Sequence, residues 1–483
     1  MPTLARHATR QRAARDILMQ VVVRIGNLLM GVFVTALVVR TLGSAGYGEW
    51  STLFIALGLV GYFANFGMEG VALREAARTP EHEGEWIGSV MLMRLAALAP
   101  VMLVCVGADV VLERSNEMLI AGLILVVAMP FSGVSALGLL FQLRVDNRVP
   151  MIVLTLRSVL WGIAVVIIYF KGGGMIALAI AMVVSNTIGS LVQVLAVRRL
   201  KIPWPRPTRK HLRPLIRIGA PLGAAGVLIM AYARIDQVIV YVIAGSKAAG
   251  LYAVVYNLLS QAQFVPVSIL TTLSPVLAAS WPHDRPRLLR TSRLTADLLA
   301  VASFGALAFA CVAATPIVRT IFGPEFVPAA PAMIPLGLTF VFICFGYLSD
   351  NVMFVLGLQR RRVIIGVAAL VLNVIGNIIL VPIFGFMGAA WMTLITEVVV
   401  LSLGSRLVLR TLELPRPKLG RVGRTAIAAA VLAAILEGLS LASNESLWVL
   451  IAAACICYPA LLFGLRALTL DEAFSIVRRR QFA

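Results

Sequence analysis

Charge is the scarcest property of this chain. Only 13% of its residues are Asp, Glu, Lys or Arg, about half the share of an ordinary soluble domain. So little charge cannot coat a water-exposed surface, and with 60% hydrophobic residues and a mean hydropathy of +0.95 a soluble globule is excluded. The chain reads as an all-α polytopic membrane protein. Acidic residues are rarer still, 22 against 42 Lys and Arg, leaving a net charge of +20. The five cysteines (Cys105, Cys311, Cys344, Cys455, Cys457) all fall in apolar runs, where they read as core. The four histidines (His7, His82, His211, His283) sit in segments expected to be cytoplasmic, so no metal site is arguable and no cofactor is called for. A Walker-type phosphate loop is missing, which leaves no basis for a nucleotide-driven pump.

What is present is a series of long apolar runs. Fourteen spans are expected, at 17–39, 50–68, 87–106, 118–140, 150–170, 175–197, 215–244, 250–280, 293–315, 327–358, 363–381, 389–408, 424–442 and 447–468. The basic residues decide orientation. Most cluster at the amino terminus and after every second span, whereas the alternating loops hold only Arg40, Arg114, Lys171, Lys247 and Arg319. This positive-inside bias puts both termini in the cytoplasm and accounts for the high pI without nucleic acid. Arg6, Arg10, Arg12 and Arg15 before the first run resemble a signal peptide, but the run contains Arg24 and no small-residue cleavage site follows. It is therefore read as an uncleaved first span.

Ionisable residues inside spans are expensive, about 3 kcal/mol each at the membrane centre, and are functional candidates for that reason. The seventh span carries two, Arg234 and Asp236, which point about 200° apart on a helix and cannot pair with each other. In the first span Gln20, Arg24, Asn27, Gly31 and Thr35 form a one-sided polar stripe, suited either to a cavity or to helix packing. Arg24, Arg94 and Arg157 each lie about 10 Å into their spans, so they could form a phosphate-binding patch or snorkel to nearby headgroups. Further along, Asp350 interrupts the tenth run, Asn373 and Asn377 share a face of the eleventh, and Thr393, Thr396 and Glu397 share a face of the twelfth. Interhelical hydrogen bonding or salt bridging would account for these as well as an ion or substrate would.

An internal repeat is also legible. Gly245-Ser246-Lys247-Ala248-Ala249-Gly250-Leu251-Tyr252 echoes Gly43-Ser44-Ala45-Gly46-Tyr47-Gly48-Glu49-Trp50, and Gly245 stands 202 positions after Gly43. Two six-span halves of even number should be parallel repeats about an axis along the membrane normal. The expected organisation is an amino-terminal lobe, 1–200, a basic proline-rich linker, 201–214, and a carboxyl-terminal lobe, 215–410. A helix pair with its tail, 421–483, lies outside the repeat. Those last two spans are Ala-, Leu- and Ile-rich and suit either a lipid tail or a packing contact.

Leu372-Asn373-Val374-Ile375-Gly376-Asn377, continuing through Pro382, Gly385, Gly388-Ala389-Ala390 and Thr393, resembles the LN-x3-N-x4-P-x2-G-x2-GAA-x2-T pattern of the Wzx-type polysaccharide (O-antigen) flippases. These belong to the multidrug/oligosaccharidyl-lipid/polysaccharide exporter superfamily. Arg40-Thr41-Leu42-Gly43 with Gly46-Tyr47-Gly48, Gly70 to Arg74-Glu75, and Arg234-Ile235-Asp236 to Gly250 and Tyr252 are similar to other stretches of that family, in the same order. The resemblance implies a non-enzymatic flippase in the bacterial cytoplasmic membrane. It would move polyprenyl diphosphate-linked oligosaccharide by alternating access, coupled to a proton or sodium gradient, among membrane lipids and beside a polysaccharide polymerase. On that reading Arg24, Asn27, Arg94, Arg157, Arg234, Asn373 and Asn377 are substrate-binding candidates, and Asp236, Asp350 and Glu397 serve ion coupling or gating. The alternatives are a cation-coupled multidrug antiporter of the same superfamily, which would want a carboxylate-lined pocket, and a membrane-embedded glycan polymerase or glycosyltransferase, which would want catalytic groups on larger outer loops.

Overall fold

The computed structural model describes residues 2–65, 67–97, 115–127, 134–144, 148–414, 420–442 and 446–467; within its helices the side chains of 2–25, 27–29, 60, 63–65, 222 and 225 are outside that description. Cys105 and the side chains of Arg24 and Asn27 therefore lie outside the described residues. Sixteen α-helices and no strand are found among them. The first half holds α1 (Pro2–Asn65), α2 (Met68–Arg78), α3 (Glu83–Ala96), α4 (Asn116–Val127), α5 (Gly138–Leu143), α6 (Arg148–Lys171) and α7 (Met175–Arg199). The second holds α8 (Arg209–Ala262), α9 (Phe264–Ser280), α10 (Arg285–Val312), α11 (Ala314–Ile321), α12 (Met333–Val355), α13 (Gln359–Phe384) and α14 (Phe386–Thr411), followed by α15 (Gly420–Ala442) and α16 (Leu447–Gly464).

A helix satisfies its own backbone, which is why apolar sequence of this length forms one in hydrocarbon. The bundle wears its apolar residues outward, with Ile152, Ile364, Leu441 and Trp448 all more than half exposed, as a lipid-facing surface requires. Ten helices are long and apolar enough to cross a membrane. Two of these fold back on themselves, which makes twelve crossings among the described residues. The expected spans 87–106 and 118–140 run into residues that are not described.

The two fold-backs organise the molecule. α1 is broken at Gly43 (φ 66°, ψ −177°) and α8 at its repeat mate Gly245 (φ 86°, ψ 173°). Positive φ of this kind strains any residue with a Cβ. Thr35 and Phe54 of α1 border the same cavity as Met230 and Asn257 of α8, whereas straight helices would hold the members of each pair roughly 28 Å and 40 Å apart. The chain must therefore reverse at each glycine. Where the two hairpins cross, a Cβ on Gly48 would stand 1.8 Å from the Ser246 carbonyl oxygen, and one on Gly250 would stand 1.8 Å from the Ser44 carbonyl oxygen. These contacts exchange under the 202-residue offset, as a two-fold axis between parallel repeats demands. At the same end Arg40 donates to the carbonyls of Thr320 and Ile321, and the Ser44 amide donates to Glu325 Oε1 at 2.8 Å.

At the opposite end the basic linker is held down, although its charge and prolines suggest a freely solvated connector. Arg206 N donates to Gly84 O at 3.1 Å, and Thr208 N donates to Ser89 Oγ at 3.1 Å. Glu85 sits between two histidines, His82 Nδ1 and His211 Nε2, each 3.1 Å from one of its oxygens, and the His211 ring lies 4.0 Å from that of Trp86. Leu215 then enters a buried cluster with Met68, Val71 and Trp86. Partial desolvation pushes the Glu85 carboxyl up, but hydrogen bonds from His82, Thr208 and His211, with Lys210 nearby, outweigh it and hold the group below the usual carboxylate range. The helix pair outside the repeat lies against α10, where Tyr458 donates to Val301 O at 2.7 Å and Arg421 approaches Asp297 at 3.6 Å.

Two outcomes follow from these contacts. Gly48→Ala should destabilise the purified protein by at least about 1–3 kcal/mol through overpacking at the crossing. Gly61→Ala, whose added Cβ would meet nothing within 4 Å, should be close to neutral, and thermal unfolding in detergent distinguishes them. For the linker, a depressed carboxyl contributes stability above its ordinary value and loses it as pH falls through the lower folded value. Protease cleavage within residues 198–214 should therefore accelerate below about pH 4. Glu85→Gln should cleave readily at neutral pH with that acid step abolished.

Candidate functional site

Between α1 and α8, inside the glycine crossing, lies a cavity of about 310 Å³. Its first-half wall is mostly aromatic and aliphatic, with Tyr47, Trp50 and Phe54 from α1 and Trp161 from α6. The second-half wall brings Arg234, Gln237 and Asn257 from α8, and Arg234 is the one charged residue among those lining the space. Its guanidinium carbon stands 5.1 Å above the Tyr256 ring, a cation–π arrangement that steadies the charge without neutralising it. Nη2 reaches Ser260 Oγ at 3.5 Å. Asn257 Nδ2 donates to Tyr47 Oη at 3.2 Å, a hydrogen bond between the two halves.

Asp236 faces the other way, as the two-residue spacing requires. It is 3% exposed and tied into the second half: Tyr252 Oη donates to Oδ2 at 2.5 Å, Thr393 Oγ1 lies 3.2 Å from the same oxygen, and Gln237 N donates to Oδ1 at 2.8 Å. Asn373 donates to Thr396 Oγ1 at 3.3 Å across α13 and α14, and Asn377 Nδ2 donates to Asn373 O at 2.8 Å. These helices are antiparallel, so Asn377, one turn beyond Asn373, is level with Thr393, one turn before Thr396. Asn377 is fully buried, and its Oδ1 has no hydrogen-bond partner.

The remaining candidates are distributed. Tyr232 of α8 donates to Glu397 Oε1 at 2.5 Å. Asp350 of α12 accepts from Arg362 Nε of α13, so a membrane carboxylate does meet an arginine on another helix, one the sequence assigned to a loop. Arg94 pairs with Glu69 Oε1 at 2.5 Å and donates to Ser135 Oγ at 3.1 Å. Arg157 donates to Ser190 Oγ at 2.9 Å, in space that the absent side chain of Gly189 leaves open. Neither of these two arginines lines the described cavity. Asp236, Asn373, Asn377 and Glu397 lie on α8, α13 and α14 within the second half, and of the second-half candidates Arg234 alone is among the residues that line the described cavity.

Sequence reasoning passed over the aromatic residues. Trp50 and Phe54 are the repeat mates of Tyr252 and Tyr256, so the 202-residue offset carried a signal for both pairs. Trp161, Tyr232 and Arg362 had no comparable mark.

A two-fold bundle of apolar helices enclosing an interlobe cavity defines a multi-pass membrane protein. The family model described as "Polysaccharide biosynthesis protein" matches residues 13–281, and the chain belongs to that family. The chain is 24% identical over 445 residues to the "Probable flippase AglR" of Haloferax volcanii, covering 88% of this chain and 89% of that protein. Among solved structures it is similar to "Lipid II flippase MurJ, inward closed conformation", with a TM-score of 0.73 at 15% identity, covering 96% of this chain and 100% of that one. It is also similar to the inward-facing conformation of a multidrug resistance MATE family transporter of the MOP superfamily, with a TM-score of 0.64 at 14% identity, covering 80% and 94% respectively. The resemblance read from the motifs is thereby borne out.

The Asp236 environment makes a prediction. Tyr252→Phe takes the shortest donor from a buried carboxylate and should lower stability by about 1–3 kcal/mol. Tyr347→Phe, which releases only the half-buried Gln263 contact, should cost less, as chemical denaturation monitored by fluorescence can check.

Proposed function

We propose that this protein is a flippase that carries polyprenyl diphosphate-linked oligosaccharide across the cytoplasmic membrane by alternating access, and that it transports rather than transforms its substrate. The observation that carries this reading is a guanidinium, Arg234, lining a cavity between two lobes, in a chain that belongs to the polysaccharide biosynthesis family. A guanidinium presents a planar fork of donors that matches a phosphate. The names of the similar flippases point the same way. An antiporter for organic cations is disfavoured by a cavity whose single charge is positive.

The linker end is cytoplasmic in this proposal, as the basic residues require, and the glycine crossing seals the opposite face. Lobes 1–200 and 215–410 rock about the crossing, with 201–214 as the connector. Arg24 and Asn27 belong to the helical face that carries Gly31, where a Cβ would sit 3.7 Å from Gln261 Nε2, and Thr35, which lines the cavity. Helical periodicity thus supports Arg24 as a second anchor nearer the cytoplasm. Arg94 and Arg157, bonded within the first lobe, are proposed to lend positive potential, and Asn373 with Asn377 to serve the substrate or the ion. The unpartnered Asn377 oxygen, level with a buried carboxylate held by the neutral donors Tyr252, Thr393 and Gln237 N, supports coupling to a proton or sodium ion at Asp236. Asp350 and Glu397 are proposed as gating groups through Arg362 and Tyr232. Within the segment 421–483, the apolar pair α15 and α16, packed on α10, is proposed to border the path of the polyprenyl tail, which stays in lipid because each buried CH₂ is worth about 0.8 kcal/mol.

The test is translocation of a polyprenyl diphosphate-linked oligosaccharide in proteoliposomes. Arg234→Ala should reduce transport by at least about tenfold and Arg234→Lys should restore part of it. Normal transport by Arg234→Ala at equal protein level would defeat the reading. Asp236→Asn should flatten the dependence on the proton or sodium gradient, and deletion of 421–483 should impair transport of long-tailed substrate more than binding of the head group.

A further inference from the structure

We propose that Trp161, backed by the buried Trp50, is a platform on which the first sugar of the substrate stacks, so that the first lobe reads the saccharide while the second lobe holds the diphosphate. This rests on the transport reading above and assigns the two walls of its cavity different chemical tasks.

The geometry carries the division. The indoles come from different helices, α1 and α6, yet their planes differ by only 8° with centroids 6.4 Å apart. The two rings are stacked, and Trp50 is buried at 6% exposure, so Trp50 backs Trp161 and holds the half-buried Trp161 indole in a fixed orientation at the cavity wall. Trp50 is fixed in that orientation by Phe54, one turn further along α1, at 4.7 Å and 50°. The electron-rich face of an indole attracts the slightly positive C–H groups that a pyranose presents on its less polar face. Rigid aromatic side chains also lose little conformational freedom when a ligand binds. Across the cavity Arg234, Gln237 and Asn257 offer the guanidinium and amide groups that phosphate and sugar hydroxyls require.

The repeat explains why only one lobe has the platform. The mates of Trp50 and Phe54 are Tyr252 and Tyr256, and the second lobe commits that pair internally. Tyr252 donates to Asp236, while Tyr256 lies beneath Arg234 and donates to Ala233 O. Their mates in the first lobe, Trp50 and Phe54, are both among the residues that border the cavity. One aromatic pair, duplicated, has become a charge support on one side and a cavity wall on the other.

The experiment uses the full-length protein in detergent, titrated by calorimetry with a disaccharide 1-diphosphate lacking the lipid and, separately, with inorganic pyrophosphate. Trp161, half-buried on the cavity wall, is replaced by Leu to keep apolar volume without an aromatic face, and by Phe to keep the face. The platform predicts that Trp161→Leu weakens the disaccharide diphosphate about tenfold and pyrophosphate less than about twofold, with Trp161→Phe within about threefold of the parent. Equal weakening of both ligands by Trp161→Leu, or no weakening of either, overturns the platform. So does a parent protein that binds the disaccharide diphosphate no more tightly than pyrophosphate, an outcome that leaves the diphosphate site and the transport reading standing. A parent that binds neither probe overturns both. Retained pyrophosphate binding by Trp161→Leu certifies that the variant is folded.

Discussion

The fold depends on a close approach between backbones at the glycine crossing. Gly48 meets the Ser246 carbonyl, Gly250 meets the Ser44 carbonyl, and neither position tolerates even a methyl group. In a membrane, apolar side chains gain little by leaving lipid for protein, so association depends on close packing, which small residues allow. This contact brings α1 and α8 together at one end while each chain reverses at Gly43 or Gly245. Everything inward of the crossing is thereby splayed into two walls with a space between them. The cavity is a consequence of where the hairpins touch.

Two-fold symmetry fixes the frame but not the chemistry, and the halves have diverged. The second contributes Arg234 to the cavity and keeps Asp236, Glu397 and Asp350 off its lining, each carboxylate met by a hydroxyl or a guanidinium from another part of the lobe. The first places Arg94 and Arg157 against Glu69, Ser135 and Ser190 within its own bundle and gives the cavity aromatic rings. Such a division suits a ligand with a charged end and a sugar end better than one that is uniformly charged or uniformly greasy.

Much of the fold was legible because its causes are local or periodic. Apolar run length, the placement of arginines between runs, and the Gly-Ser echo 202 residues apart lead directly to a helical bundle with an internal repeat. The opposed directions of Arg234 and Asp236 also follow from helical spacing alone, and the structure separates them as expected. The partners were another matter. Nothing in the sequence ties Tyr232 to Glu397 or Thr393 to Asp236, because those pairs are 165 and 157 residues apart and depend on how α8 meets α14. Equal depth of Arg94 and Arg157 was a one-dimensional measure; it could not reveal that each helix turns its arginine toward a polar neighbour in the same lobe. The linker shows the same limit, since proline and charge forecast its solubility but not the grip of Glu85, His211 and Ser89.

The separation of opposite charges within α8 has an energetic logic that bears on what the cavity accepts. An arginine and an aspartate two residues apart would offer a passing anion nothing if they neutralised each other, and on a helix they cannot. Asp236 takes its hydrogen bonds from behind, from neutral donors, so no direct contact with Arg234 is needed to hold it. Arg234 rests on the face of Tyr256 and a long contact to Ser260, interactions that orient a cation while leaving donors for a ligand. Because the surroundings are of low dielectric, a guanidinium held in this way attracts phosphate more strongly than it would in water. The same low dielectric would make the empty site costly to maintain without water or an anion beside the arginine. On the proposed function that balance is what a carrier of a charged head group needs, because a site that is costly to leave unfilled favours binding the anion that fills it.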